Sequence, residues 1–507
     1  MADDPDELGR AYEASLAPAR RRAEGIHYTP PDVADGLVAL ALHGLDGAPL
    51  VCDPACGGGA FLLAAGRALA ARGLEPRRIA TELLWGIDSD PGAVQVTHAA
   101  IEAWAGVGPG DHVVVGDGLL ASERWPGRFD AVVGNPPFQN QLERATLRSV
   151  PVPPALAAVV RAYTDTAWLF LVAALDLVRA SGGTVVLVQP QSLLAARDAQ
   201  AVRAEVAARA SVHGMWSCAD AGFGAAVRVC APVLHVGAEQ PARARRWSGR
   251  DFVEDEARRL ARPAGSWAVL RSGGDPPPAV RIDSDGPTLA TLATATAGFR
   301  RQFYGVAPFV IDERDVDDSV LPKLITVGLI DAGRIAWGER STRLAGRVLL
   351  TPRVDLASLA TATPDVARWF VDRLCPKVLV ATQTKVIEAV VDPDGRWLPS
   401  TPVISVHAPV EVLWLVGSVL LAPPVTAWAL ETYGGTALAH DAVKLAASQV
   451  LEIPLPADHA TWREGARLLE TGAPVTEVGH VMNDAYGAGD DVLAWWSARL
   501  APAPDRV

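Results

Sequence analysis

Lysine is nearly missing from this chain. Of 46 basic residues, only Lys323, Lys377, Lys385 and Lys444 are lysines, and a coding bias toward arginine and alanine accounts for that without any function. The net charge of −12 excludes a uniformly basic nucleic-acid binder, although a local basic stripe can still hold phosphates. Cysteine is sparse as well. Cys52, Cys56, Cys218, Cys230 and Cys375 form no CxxC pair and no secreted-type framework, so neither a disulfide scaffold nor a metal site is expected and a reducing cytoplasm fits. The N-terminal stretch MADDPDELGRAYEASLAPARRR has no apolar core and does not read as a signal peptide. One run, Val412 to Leu430, approaches membrane-spanning length. Pro423-Pro424 divides it, so a buried helix, a break and a second helix are expected instead of a membrane anchor.

What is present is a globular composition, 50% apolar over 507 residues, which is too long for one ordinary core. The first half alternates β-rich runs with Ala/Leu-rich helical ones. Strands are predicted at Leu50–Asp53, Leu84–Asp88, His112–Val115, Ala131–Val133, Thr184–Val188 and Val227–Val236, the last as an antiparallel edge strand. Helices are predicted at Phe61–Ala71, Ala93–Trp104, Thr166–Ala180 and Ala199–Ala210. Strands joined by crossover helices imply an α/β fold, a doubly wound and mostly parallel sheet covered on both faces. The pattern then changes. We expect an α/β domain over residues 1–240, a linker over 241–285, and a mixed α+β domain over 286–507 with a helical C-terminal tail.

Three strand ends carry chemistry. In DPACGGGAF, Asp53 closes a strand and Gly57, Gly58 and Gly59 let backbone approach a ligand before a helix begins. The turn is not the G-x-G-x-x-G dinucleotide fingerprint, and by itself it reads equally as a tight turn. In GIDSDP, Asp88 ends the next strand, where a carboxylate accepts both hydroxyls of a ribose; Asp90 before Pro91 suits a helix N-cap. In GDGLL, Asp117 can accept from an exocyclic adenine amine. Acids on three successive strand ends converge on the rim where open α/β sheets bind ligands. No G-x-x-x-x-G-K-[ST] loop exists to hold a phosphate, and the acids favour a cation. Together they describe a nucleoside pocket suited to S-adenosyl-L-methionine, whose sulfonium is positive.

Downstream, FDAVVGNPPFQNQ stops an apolar strand at Asn135-Pro136-Pro137-Phe138. Proline cannot continue the ladder, and its fixed φ makes a rigid corner. In the order HYTPP, DPACGGGAF, GIDSDP, GDGLL and NPPF, the chain resembles the gamma-class N6-adenine DNA methyltransferases of type II restriction-modification systems. In that family a target-recognition domain follows the catalytic motif. The resemblance spans residues 20–240, through GGTVVLVQPQSLL and ADAGFGAAVRVCAPVLHV, and more loosely 285–456.

The resemblance implies a Rossmann-like class I methyltransferase domain with a seven-stranded sheet. It implies a cofactor site of Tyr28, Thr29, Pro30, Asp53, Pro54, Ala55, Gly57, Gly59, Phe61, Asp88, Asp117 and Gly118, and a catalytic corner of Asn135, Pro136, Pro137 and Phe138. Asn135 Oδ1 and the Pro136 carbonyl would accept the two N6 hydrogens and so localise the amine lone pair. Phe138 and Phe223 would stack on a base extruded from the duplex, Phe223 reading equally as a core residue. Arg20 to Arg22, the cluster Arg243, Arg245, Arg246 and Arg250, and Arg300-Arg301 are the candidate phosphate contacts. Arg300, Arg301 and Tyr304 are favoured because aromatic interleaving suits nucleic acid. The partners expected are duplex DNA and a separate restriction endonuclease or other defence-system proteins. Two rival readings stand: a methyltransferase of protein glutamine amides, whose known members lack so large a following domain, and a non-catalytic DNA-reading subunit, against which the intact NPPF argues.

Overall fold

The structure, a computed structural model, describes residues 4–17, 20, 29–138, 153–161, 164–219, 228–272, 277–282, 286–435 and 442–500. The chain divides into two compact units, Met1–Gly274 and Asp275–Val507.

The first unit is built on strands that bury both faces. β1 (Val51–Asp53), β2 (Leu84–Asp88), β3 (Val113–Val115), β4 (Ala131–Gly134) and β5 (Thr184–Leu187) run parallel in the order β3-β2-β1-β4-β5. Their sequences, such as AVVG and TVVL, carry no polar alternation because helices cover both sides. Successive residues enter opposite cores. Val132, Val185 and Leu187 join the core under α5 (Thr166–Leu177), while Ala131, Val133 and Val186 join the one under α2 (Pro31–Ala41) and α3 (Ala60–Ala71). Beyond β5, a two-residue β6 (Gln189–Pro190) pairs with β8 (Val229–Val236), and β8 also pairs with β5 and with β7 (Ala210–Cys218), all antiparallel.

Six of these strands, β1 to β5 and β8, are the ones expected from the sequence, and the sheet is extended further. The strand predicted as an edge at 227–236 is antiparallel but interior, because Ala210–Cys218, expected to be helix end and loop, forms β7 beside it. Ala244–Ser248 (β9) and Val253–Arg258 (β10), inside the stretch expected to be a linker, add two more strands at that edge. The reason lies in their side chains. Ala244, Arg246 and Trp247 are buried, and the Arg246 guanidinium donates to the Glu256 and Arg271 carbonyls at 2.7 and 2.6 Å. Charge on these strands marks capped carbonyls, not a solvated tether.

The second unit holds two four-stranded sheets. One orders Thr294–Ala297, Ile404–His407, Lys377–Val380 and Ala389–Asp392, all antiparallel. The other orders Val310–Asp312, Pro352–Val354, Lys323–Ile325 and Trp397–Pro399. The apolar run over 412–430 folds as Leu413–Leu420 and Pro423–Tyr433, broken at the proline pair and packed in this unit's largest core. Among the described residues no single helix is long and apolar enough to cross a membrane; this pair reaches the length only across a 67° bend. Three amphipathic helices, His459–Glu470, Val475–Ala485 and Asp490–Leu500, close the chain.

Candidate functional site

β1 is where the sheet order reverses, since the chain moves to β2 and β3 on one side before returning to β4 on the other. The crevice beyond the ends of β1 and β4 is therefore the expected ligand site. Asp53 ends β1, is almost fully buried, and accepts the Ala55 N–H at 2.9 Å. Gly134 ends β4 at φ +157°, and a Cβ there would lie 2.5 Å from Asp53 Oδ1. Only glycine lets the two strand ends approach so closely.

The Gly-rich turn follows. Gly57 and Gly59 adopt φ +50° and +90°, the left-handed region, and Gly59 opens α3. The Gly57 N–H donates to Asp88 Oδ2 at 2.8 Å, so the turn is tied to the end of β2. Asp88 Oδ1 takes the Asp90 N–H at 2.9 Å, and Asp90 caps α4 (Pro91–Ala105) through the Gly92 N–H. Asp117, after β3, caps the next turn through the Leu119 N–H at 2.9 Å. Beside it Gly118 is obligatory, since a Cβ would fall 1.8 Å from the Pro54 carbonyl oxygen.

These ends enclose a cavity of about 240 Å³. Thr29, Asp53, Pro54, Ala55, Gly57, Phe61, Asp88, Asp117, Gly118, Asn135 and Pro137 from the expected set all line it. Gly59 sits behind the turn against Thr97, and buried Pro30 begins α2. Six carboxylic acids face the cavity, from Asp6, Glu13, Asp53, Asp88, Asp90 and Asp117, with no lysine or arginine among the described lining residues. Burial pushes Asp53 up to about 8, opposed by the Ala55 N–H and reinforced by the neighbouring Asp88. Burial also raises Asp88, against the Asp90 and Gly57 N–H groups. Of the six, Asp6 and Asp90 are met by Arg67 and Arg20, whereas buried Asp53 and Asp88 make no ion pair among the described residues.

The helix α1 (Pro5–Ser15) forms one wall that the sequence reading missed. Asp6, Gly9, Tyr12, Glu13 and Leu16 reach the cavity from one face of it, at the i, i+3, i+4 spacing that was available as a signal. Gly9 and Gly58 pack backbone to backbone, a Cβ on Gly58 lying 2.6 Å from the Gly9 Cα. Tyr12 donates to Asp90 Oδ2 at 2.6 Å and Arg20 reaches the same oxygen at 3.1 Å. Burial and the Asp90 hydrogen bond push the Tyr12 phenol up to about 12. From α5, Phe170 adds an aromatic wall.

At the mouth, Asn135 Nδ2 donates to Thr29 Oγ1 at 3.1 Å, which fixes the amide with Oδ1 on its other branch. Pro136 is buried, and Phe138 is half-buried against the core of α2 and α3. Tyr28 and Phe223 lie outside the described residues. Of the arginine candidates, Arg243 pairs with Glu256, Arg245 with Glu254 and Arg250 with Asp32, and Arg246 is buried, so that cluster is a structural one. In the second unit, Arg300, Arg301 and Tyr304 lie on the short helix Arg300–Val306; Arg301 pairs with Asp365, whereas Arg300 is exposed and makes no ion pair among the described residues. Tyr304 and the preceding Phe299 are 67% and 76% exposed.

Comparison with known proteins agrees with this geometry. A type II methyltransferase, M.VspI of Vibrio sp. (strain 343), is 28% identical over 179 residues, which are 35% of this chain and 40% of that protein. The type IIL restriction-modification enzyme MmeI, solved in complex with DNA, superposes over 98% of this chain and 81% of its own with a TM-score of 0.64 at 12% identity. The structure of a DrdV–DNA complex covers 93% of this chain and 60% of that one, with a TM-score of 0.55 at 12% identity. These likenesses and the strand order establish a class I methyltransferase fold for the first unit. Residues 3–246, just under half of the chain, match the N-6 DNA methylase family model, and over that stretch the chain is similar to that family.

Proposed function

We propose that this chain is a site-specific DNA methyltransferase that moves a methyl group from S-adenosyl-L-methionine to N6 of an adenine flipped out of duplex DNA. One observation carries the reading. A rigid Asn-Pro-Pro-Phe corner opens onto an acid-lined cavity at the switch point of a class I sheet.

The cavity suits the cofactor. Its acids favour a cation, Asp88 and Asp117 face it from neighbouring strand ends as ribose and adenine acceptors, and the glycine turn admits backbone contact. When bound, S-adenosylmethionine supplies an electrophilic methyl on a positively charged sulfur. The chain's own residues do the rest. Asn135 Oδ1 and the Pro136 carbonyl each accept an N6 hydrogen, which draws the amine toward sp³ and localises its lone pair. Pro136 and Pro137 fix φ, so neither acceptor has to reorganise during transfer. Phe138 offers a stacking face that offsets the few kcal/mol of base extrusion. Alignment of amine and methyl supplies the remaining acceleration.

The second unit is the target-recognition domain in this reading, over residues 286–507, in the gamma arrangement of cofactor motifs, catalytic corner and recognition domain. The DNA-bound state of the structural relatives supports duplex DNA as the partner. A separate restriction endonuclease or other defence proteins, in the cytoplasm, complete the expected setting.

Asn135→Ala tests the assignment of the corner. We expect labelled methyl transfer to DNA to fall below detection while calorimetric cofactor binding stays within a few-fold of the parent, because the amide acts on the acceptor. A variant that keeps transferring methyl to DNA refutes the role. Label appearing on glutamine of added protein instead of DNA returns the amide reading.

A further inference from the structure

One buried polar group stands unmatched just past the strand that pairs with the one leading into the catalytic corner. β4 and β5 are in register at Val133 with Val186 and at Gly134 with Leu187, and the Val188 N–H donates to the Gly134 carbonyl at 2.9 Å. The ladder ends there because Pro136 has no N–H to return. Two residues past Leu187, as Pro136 is two past Gly134, comes Gln189, which turns to pair with Cys230 of β8. Gln189 is 0% exposed, and neither its Oε1 nor its Nε2 has a hydrogen-bond partner. Its neighbour Gln191 differs, for its Nε2 donates to the Val229 carbonyl at 3.2 Å. A buried carboxamide left unmet costs about 1–3 kcal/mol. An apolar residue would avoid that cost directly after the run Val185 to Val188. The group is explained if its partner arrives with the substrate.

We infer that Gln189 is a specificity-determining residue that reads the ring edge of the base held at the corner, its Nε2 donating to adenine N1. The inference rests on the proposed function. With Asn135 Oδ1 and the Pro136 carbonyl taking both N6 hydrogens, the unsatisfied atom next to the amine-bearing carbon is N1, an acceptor. The carboxamide supplies the matching donor from the adjacent strand. Guanine carries a hydrogen on N1, so the same Nε2 would meet a donor, and guanine is rejected at this position.

The test substitutes the adenine that the wild-type protein methylates with 1-deazaadenine, which replaces N1 by C–H, and with 7-deazaadenine as a control. Wild type should lose about tenfold or more in kcat/KM on 1-deazaadenine, the scale of one lost buried hydrogen bond, and little on 7-deazaadenine. Gln189→Met should show that loss on adenine and no further loss on 1-deazaadenine, with a melting temperature at or above the parent's. Gln189→Leu serves as a second apolar replacement. Losses that multiply, a Gln189→Met enzyme as fast as wild type, or a wild type indifferent to 1-deazaadenine would each overturn the assignment of Gln189 and leave the proposed function standing. A wild-type protein that binds cofactor but methylates no duplex adenine overturns both.

Discussion

Asp53 is the acid whose setting has the clearest consequence. Its carboxyl is buried, and the folded protein holds its proton up to about pH 8, whereas an unfolded chain releases it near 3.8. Between those values the folded state binds more protons than the unfolded one, so this group's contribution to stability falls as pH rises and levels off above about 8. The slope approaches 1.4 kcal/mol per pH unit for one fully shifted group. We therefore expect urea midpoints of the cofactor-free protein to decline from pH 5 to pH 8 and Asp53→Asn to flatten that decline. An unchanged pH profile in Asp53→Asn would place the titrating group elsewhere. At this scale the site was largely legible. Asp53, Asp88, Asp117 and Asn135 stand at strand ends in the sequence, and strand ends of an α/β sheet share one rim. Gln189 was not legible, because a glutamine in an apolar run shows neither its burial nor its lack of partners.

At the scale of elements, α1 changes the picture most. The sequence of this segment was read only for what it is not, a signal peptide. Its glycine, which weakens an isolated helix, is what allows the crossing with the Gly58 turn. Local propensity and close packing pull in opposite directions there, and packing wins. Gly9→Val should lift α1 from the turn, since a side chain would meet the Gly58 carbonyl at 2.8 Å or less. We expect cofactor affinity to fall about tenfold, on the scale of the 1–3 kcal/mol that overpacking costs, and trypsin to cut sooner after Arg10. Unaltered affinity and proteolysis would show that α1 contributes no wall to the site. The strands over 210–218 and 244–258 escaped the sequence reading for a related reason. Ser, His, Gly and Arg dilute their β signal, and pairing to β8 and capping of carbonyls by Arg246 supply in three dimensions what propensity lacks.

For the whole molecule, a chain of net charge −12 must concentrate positive potential locally to hold DNA. Of three arginine groups in the sequence, the one at 300–301 is favoured by its aromatic neighbours, and ion pairs distinguish it from the cluster at 243–250. The cluster at 243–250 is neutralised by Glu256, Glu254 and Asp32, whereas Arg300 makes no ion pair among the described residues and lies beside exposed Phe299 and Tyr304. Arg301 is already paired with Asp365. Arg300→Ala should therefore weaken duplex binding more than Arg301→Ala, and lower the slope of log affinity against log salt by about 1. Equal effects, or none, would move the phosphate contact off this helix. The large second unit was legible only as a separate mixed domain, because short strands paired across long sequence separations leave little periodic trace.

The central claim is that the corner at Asn135 delivers methyl to adenine N6. The most direct measurement incubates the purified protein with S-adenosylmethionine and duplex DNA, digests the DNA to nucleosides and identifies the methylated species by mass spectrometry. The account predicts N6-methyladenosine in the deoxy series from wild type and none from Asn135→Ala. Methylated cytosine alone, or methyl found only on protein, would contradict it.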